Sequence, residues 1–199
     1  MTIRSDIPAP PRGLLARLWG GWRKPATAMP ARTAHDFAFP SIDGGTLGLS
    51  DFRGRALLIV NTASQCGFTA QYTAMQHLFE TYEPRGLTVI GVPSNDFGGQ
   101  EPGTEEQIKA FCRSKFGVRF PMTAKTTVVG PNAHPFYRWA EHELGAAARP
   151  RWNFHKFLVR PDGTLADWFS TVTGPTSGRV VRAIERTLAE RVPAEALPS

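Results

Sequence analysis

A chain of 199 residues with 41% hydrophobic and 20% charged side chains is long enough to bury a full core as one domain with an appendage. It holds no apolar run near the roughly 18 residues that a bilayer-spanning helix needs, and two cysteines are too few for a disulfide scaffold. The net charge of +6 sits at one end, because residues 1–34 carry six basic side chains against Asp6 alone while the rest holds 17 basic and 16 acidic residues; the body is nearly neutral, and nucleic acid is not an expected partner.

Residues 1–34, rich in proline, arginine and alanine, read as a flexible basic extension. Within it, residues 12–24 place Leu14, Leu15, Leu18, Trp19 and Trp22 among arginines and Lys24. That pattern suits a short amphipathic helix with weak affinity for a membrane surface. Arg17 interrupts the apolar run, so the match to an export signal is poor. The body is expected over residues 35–192, with 193–199 as a tail.

Asp36 to Phe39 alternates polar and apolar residues, Asp43-Gly44-Gly45 turns the chain, and Thr46 to Leu49 returns it as a second strand. The apolar run Leu57-Leu58-Ile59-Val60 predicts a buried strand. Tyr72, Met75, Leu78, Phe79 and Tyr82 recur at helical spacing, and Pro84 with Gly86 closes that helix. Leu87 to Val92 is a further buried strand. Thr104 and Gln107 form a capping box for a helix with Ile108, Phe111, Cys112 and Phe116 on its apolar stripe. Pro131 to Leu144 predicts another helix. Phe154 to Val159, the turn Pro161-Asp162-Gly163 and Thr164 to Phe169 predict a hairpin. A last helix carries Val180, Val181, Ile184 and Leu188.

Cys66 falls where the strand gives way to a helix. Unpaired N–H groups at a helix start favour an anion, so a thiolate there is stabilised and reactive; an inert buried cysteine is the competing reading. Alternating strands and helices followed by a hairpin give an α/β fold with a mixed central sheet flanked by helices. With a reactive cysteine at the end of the first core strand, that layout suggests a thioredoxin-like fold. Thr69 stands where a Cys-x-x-Cys pair needs its second thiol, which excludes dithiol exchange at this position.

Three segments then resemble one family. Asn61 to Thr69, Pro93 to Gly103 and Trp152 to Val159 are similar, in the same order, to the three signatures of the glutathione peroxidases, and the likeness covers roughly His35 to Arg191. The resemblance implies a peroxidatic Cys66 with Gln100, Trp152 and Asn153 around it. The residue chemistry agrees: two amides and an indole N–H are neutral donors that would stabilise a thiolate and the oxyanion leaving the peroxide. Taken singly, Gln100 could cap a turn, Trp152 fill core and Asn153 hold a loop. The implied reaction is attack of the Cys66 thiolate on the O–O bond, giving alcohol or water and a sulfenic acid. It needs no bound cofactor and belongs to the response to oxidative stress.

Cys112 matches the second cysteine of family members recycled by thioredoxin. It also lies on an apolar stripe, where it could be plain core. If it resolves the sulfenic acid, its helix must partly unwind to bring the two Cα atoms within about 7 Å. Ser94, Asp96 and His155 depart from residues common in relatives; none belongs to the tetrad. His155 reads as an exposed side chain, or as one that makes activity pH-sensitive near neutrality. Six residues lie between Gly145 and Trp152, fewer than in tetrameric relatives, which implies a monomer open to bulky organic or lipid hydroperoxides.

The rivals are weaker. His35, His77, His134, His142 and His155 lack metal-ligand spacing, and Phe97 to Gln100 lacks the Lys-Ser/Thr of a phosphate loop. The expected function is therefore a thiol peroxidase recycled by thioredoxin. The alternatives are a one-cysteine enzyme that uses glutathione and a sensor that passes its oxidation to a partner protein. Cytoplasm is the expected location, with membrane association or export through the extension as alternatives.

Overall fold

The architecture follows from β3 (Ala56–Thr62), which is buried along its whole length in a computed structural model that describes residues 32–190. A strand with both faces apolar must be covered on both sides. β3 pairs in parallel with β4 (Leu87–Pro93), and on its other edge in antiparallel with β5 (Lys156–Val159), which continues to β6 (Leu165–Phe169). The order β4-β3-β5-β6 makes the mixed sheet expected from the sequence. β1 (Ala38–Pro40) and β2 (Thr46–Gly48) form a separate antiparallel pair.

Alternation along the strands divides the core. Leu58, Val60, Val89 and Leu158 face α1 (Gln71–Tyr82), α2 (Glu105–Phe116) and α4 (Gly178–Ala189), which contribute Tyr72, Met75, Ile108, Cys112 and Ile184. Leu57, Ile59, Val92 and Phe157 face α3 (Pro135–Leu144) and the residues around β1, with Phe37, Phe39, Phe136 and Trp139. Each such side chain contributes about 1.5–3 kcal/mol by leaving water.

Thr104 caps α2 as its sequence predicts: its hydroxyl accepts from the Gln107 N–H at 3.4 Å, and Gln107 Oε1 accepts from the Thr104 N–H at 2.9 Å. α2 ends at Gly117, whose φ of 63° suits a residue without a Cβ. α3 begins later than Pro131. His134 lies in extended backbone, as the residue before a proline prefers, and Pro135 takes the first helical position.

The outer edge of β4 is bridged at Gly91 by the chain itself. The Gly91 N–H donates to Pro121 O, and the Thr123 N–H donates to Gly91 O, both at 2.9 Å. A Cβ at Gly91 would stand 3.1 Å from the Phe120 ring. The described fold starts ahead of His35: Ala34 is fully buried, and its N–H bonds to Gly163 O at 2.8 Å. The basic segment 12–24 and the tail 193–199 lie outside the described residues.

Candidate active site

β3 delivers Cys66 through tight turns. The Thr69 hydroxyl donates to Ala63 O at 2.9 Å and accepts from the Cys66 N–H at 3.0 Å, tying both ends of the turn together. Cys66 packs against the core cluster of α1, α2 and α4, and its sulfur accepts from the Phe68 N–H at 3.4 Å. Cys66 does not open a helix. Three successive turns, closed by the N–H groups of Gln71, Tyr72 and Thr73, precede the regular bonding of α1. The donor at the sulfur therefore belongs to a turn and not to a helix end.

The second element is the loop after β4. The Gln65 N–H donates to Gln100 O at 3.0 Å, which joins this loop to the turn of Cys66. Asn95 Oδ1 accepts from the Glu101 N–H at 2.8 Å and closes the loop on itself. Asp96 Oδ2 accepts from the Val128 and Val129 N–H groups at 2.6 and 3.2 Å. These anchors were not evident from the sequence; an Asx pair in a glycine-rich loop is the available signal. Glu101 is wholly buried, and burial raises its pKa while Ser64 pulls it back. Both line a cavity of about 380 Å³ with Gln65, Gln107 and Phe111.

The third element is the turn into β5. The Phe154 N–H donates to Asn61 O at 2.6 Å, and Asn61 Nδ2 donates to Trp152 O at 3.1 Å. Phe154 takes φ 62°, a conformation that a non-glycine residue rarely adopts. Asn153 is fully buried and its Nδ2 donates to Gln100 Oε1 at 2.9 Å. The Trp152 indole is 38% exposed and packs on Phe97 with ring centroids 5.9 Å apart.

Cys66, Gln100 and Asn153 thus belong to one bonded unit, with Trp152 on its rim. The polar side chains pair with each other and not with the sulfur: among the described residues, the hydrogen bond reaching Cys66 Sγ is that of the Phe68 N–H. Because Asn153 occupies the Gln100 carbonyl, the Gln100 amide directs its NH2 group elsewhere.

Cys112 sits on the inward face of α2, fully buried in the cluster that Cys66 borders. Burial pushes its thiol up to about 11, with the Tyr72 hydroxyl opposing and Glu101 adding to the rise. Both cysteines are free thiols. His155 is neither exposed nor titratable near neutrality. It lies buried and stacked on Trp168, ring centroids 5.4 Å apart, and burial lowers its pKa to about 4, helped by Lys156.

A free cysteine in the turn after the first core strand, beside a mixed sheet packed by helices on both faces, is the layout of a thioredoxin-like fold. The chain shares that fold with a thioredoxin-family thiol:disulfide interchange protein from Chlorobium tepidum (17% identity, TM-score 0.57, covering 76% of this chain and 92% of that one). The glutathione peroxidase family model matches residues 34–141. A hydroperoxy fatty acid reductase of Synechocystis is 44% identical over 75% of this chain and 93% of its own length. The crystal structure of Trgpx in apo form superposes with a TM-score of 0.67 at 30% identity, covering 82% of this chain and 99% of that one. The chain belongs to the glutathione peroxidase family. It is a peroxidase, an oxidoreductase that reduces hydroperoxides with a thiol. Among the described residues no helix is long and apolar enough to cross a membrane.

Proposed function

We propose that Cys66 is the peroxidatic residue, that Gln100, Trp152 and Asn153 serve it as donors, and that Cys112 resolves its oxidised form for recycling by thioredoxin. The observation that carries this reading is the bonded unit of Cys66, Gln100 and Asn153 at the end of β3. The Cys66 thiolate attacks one peroxide oxygen and the O–O bond breaks. The distal oxygen leaves as alcohol or water after taking a proton, and the sulfur becomes a sulfenic acid. Neutral amide and indole donors near the reacting oxygens stabilise the developing charge without a bound cofactor. The Cys112 thiol then displaces hydroxide from the sulfenic sulfur, giving a disulfide and water, and a dithiol reductant restores both thiols.

A fully buried thiol whose pKa lies near 11 is a poor nucleophile where it stands, so this step requires α2 to open locally. The exposed apolar side chains Phe68 and Trp152, which flank Cys66 and Asn153 in the chain, favour organic and lipid hydroperoxides as substrates, and the chain acts as a monomer. A thioredoxin cycle needs a reducing compartment, which favours the cytoplasm. The test is steady-state reduction of an organic hydroperoxide by wild type and Cys112→Ser, each with thioredoxin and with glutathione. Turnover with thioredoxin that vanishes in Cys112→Ser supports the reading. Equal turnover of both proteins with glutathione assigns Cys112 to the core and leaves a one-cysteine enzyme.

A further inference from the structure

Three consecutive carbonyls of the turn that carries Trp152 and Asn153 are each held by a side chain from a different element. Trp152 O accepts from Asn61 Nδ2 of β3 at 3.1 Å. Asn153 O accepts from the Thr171 hydroxyl at 2.7 Å. Phe154 O accepts from Lys156 Nζ of β5 at 2.6 Å, and the same amine reaches Ser170 O at 3.4 Å. The arrangement is costly to assemble. Lys156 is fully buried within the sheet, where lysine is seldom found without a partner, and Phe154 is the residue at φ 62°.

Thr171 has a second link. Its own carbonyl accepts from Gln71 Nε2 at 2.8 Å, and Gln71 is the first residue of α1. A closed circuit results. From Gln71 it runs through Thr171 to Asn153, from Asn153 Nδ2 to the Gln100 side chain, from Gln100 O to the Gln65 N–H, and along the chain through Cys66 back to Gln71. Asn153 meets Gln100 only if its backbone is fixed at that point of the circuit; Thr171 holds its own carbonyl, and Asn61 and Lys156 hold the carbonyls before and after it. Removing the hydroxyl at Thr171 would free Asn153 O and open the circuit without touching Cys66, Gln100 or the Asn153 amide.

We propose that Thr171 and Lys156 are positioning residues for peroxide reduction, acting through Asn153 by locking the carbonyls of the 152–154 turn. The inference rests on the assignment of Asn153 to the site. The test measures first-turnover consumption of hydrogen peroxide by the prereduced full-length chain, with thermal melting alongside. The variants are Thr171→Val, Thr171→Ser, Lys156→Met, Asn153→Ala and the double variant Thr171→Val with Asn153→Ala. A small displacement of a positioned group is sufficient to slow Thr171→Val and Lys156→Met by about tenfold, and Thr171→Ser, which keeps the hydroxyl, restores the rate. Thr171→Val adds no further loss in the Asn153→Ala background, because its effect passes through Asn153. A merely structural role would lower the melting temperature and leave that non-additivity absent. A folded Thr171→Val with the wild-type rate, or one whose loss adds fully to that of Asn153→Ala, overturns the inference while the site assignment stands. A wild-type rate in Asn153→Ala overturns the assignment and the inference together. Thr171→Val is nearly isosteric and decides the matter alone if Lys156→Met does not fold.

Discussion

Cys112 lies within the hydrophobic cluster that Cys66 only borders, and the two could hardly be placed more differently. Cys66 sits in a turn held by Thr69, with its sulfur accepting a backbone N–H. Cys112 sits in the C-terminal half of a capped helix, fully buried, with its thiol pushed up to about 11. A thiol in a turn can meet a small oxidant without rearrangement. A thiol inside a helix can react with another cysteine only after the helix yields. The difference separates a step limited by chemistry from a step limited by local unfolding.

The largest effect tests the first half of the comparison. Cys66→Ser removes the nucleophile, and hydroperoxide reduction is expected to fall by at least about 10³-fold; retention of activity would transfer the chemistry elsewhere. Next, Cys112→Ser should leave oxidation of Cys66 at the wild-type rate and lower turnover with thioredoxin by about 10²-fold. Intact-mass measurement after one equivalent of peroxide should then show a gain of oxygen in this variant and the loss of two hydrogens in wild type.

The pH dependence sharpens the contrast. Deprotonation of Cys112 accelerates its attack, so disulfide formation should rise about tenfold per pH unit below the controlling pKa. If the helix opens before reaction, the rate levels off near the exposed thiol value of about 8.5. If the buried thiol reacts in place, the rise continues towards about 11. The smallest effect concerns the cap of α2. Thr104→Ala removes the hydroxyl that accepts from the Gln107 N–H, which costs the helix about 1 kcal/mol. Disulfide formation should then be about fivefold faster, as read by the decay of the sulfenic acid, while peroxide consumption in the first turnover stays unchanged.

The local signals were legible in the sequence: the period of α1, the capping box of α2, the turns at Gly44-Gly45 and Asp162-Gly163, and three motifs that bring Cys66, Gln100, Trp152 and Asn153 forward. What was not legible depends on partners far apart in the chain. Asn61 meets Trp152 across 91 positions, and Gln71 meets Thr171 across 100. The burial of His155 depends on β6 supplying Trp168 across the hairpin. The helical start at Cys66 was misplaced because the period of Tyr72 and Met75 fixes a face and not a first residue. Lys156 was visible as a charge inside the run Phe154 to Val159, and a buried lysine calls for a partner. The start of α3 was set too early, at Pro131, although Pro135 fixes the conformation of His134 and takes the first helical position.

The strip of chain laid along β4 has a consequence for how molecules meet at high concentration. A sheet with open edges invites a neighbour to add a strand, and repeated addition ends in aggregates. Here the backbone of Pro121 to Thr123 already takes the bonding positions of Gly91, and the phenyl ring of Phe120 fills the space above it. At the opposite edge, β6 is a short strand bearing Asp167, with a register shift against β5. Lateral growth is interrupted on one side by the chain's own bridge at Gly91 and blunted on the other by charge and irregularity.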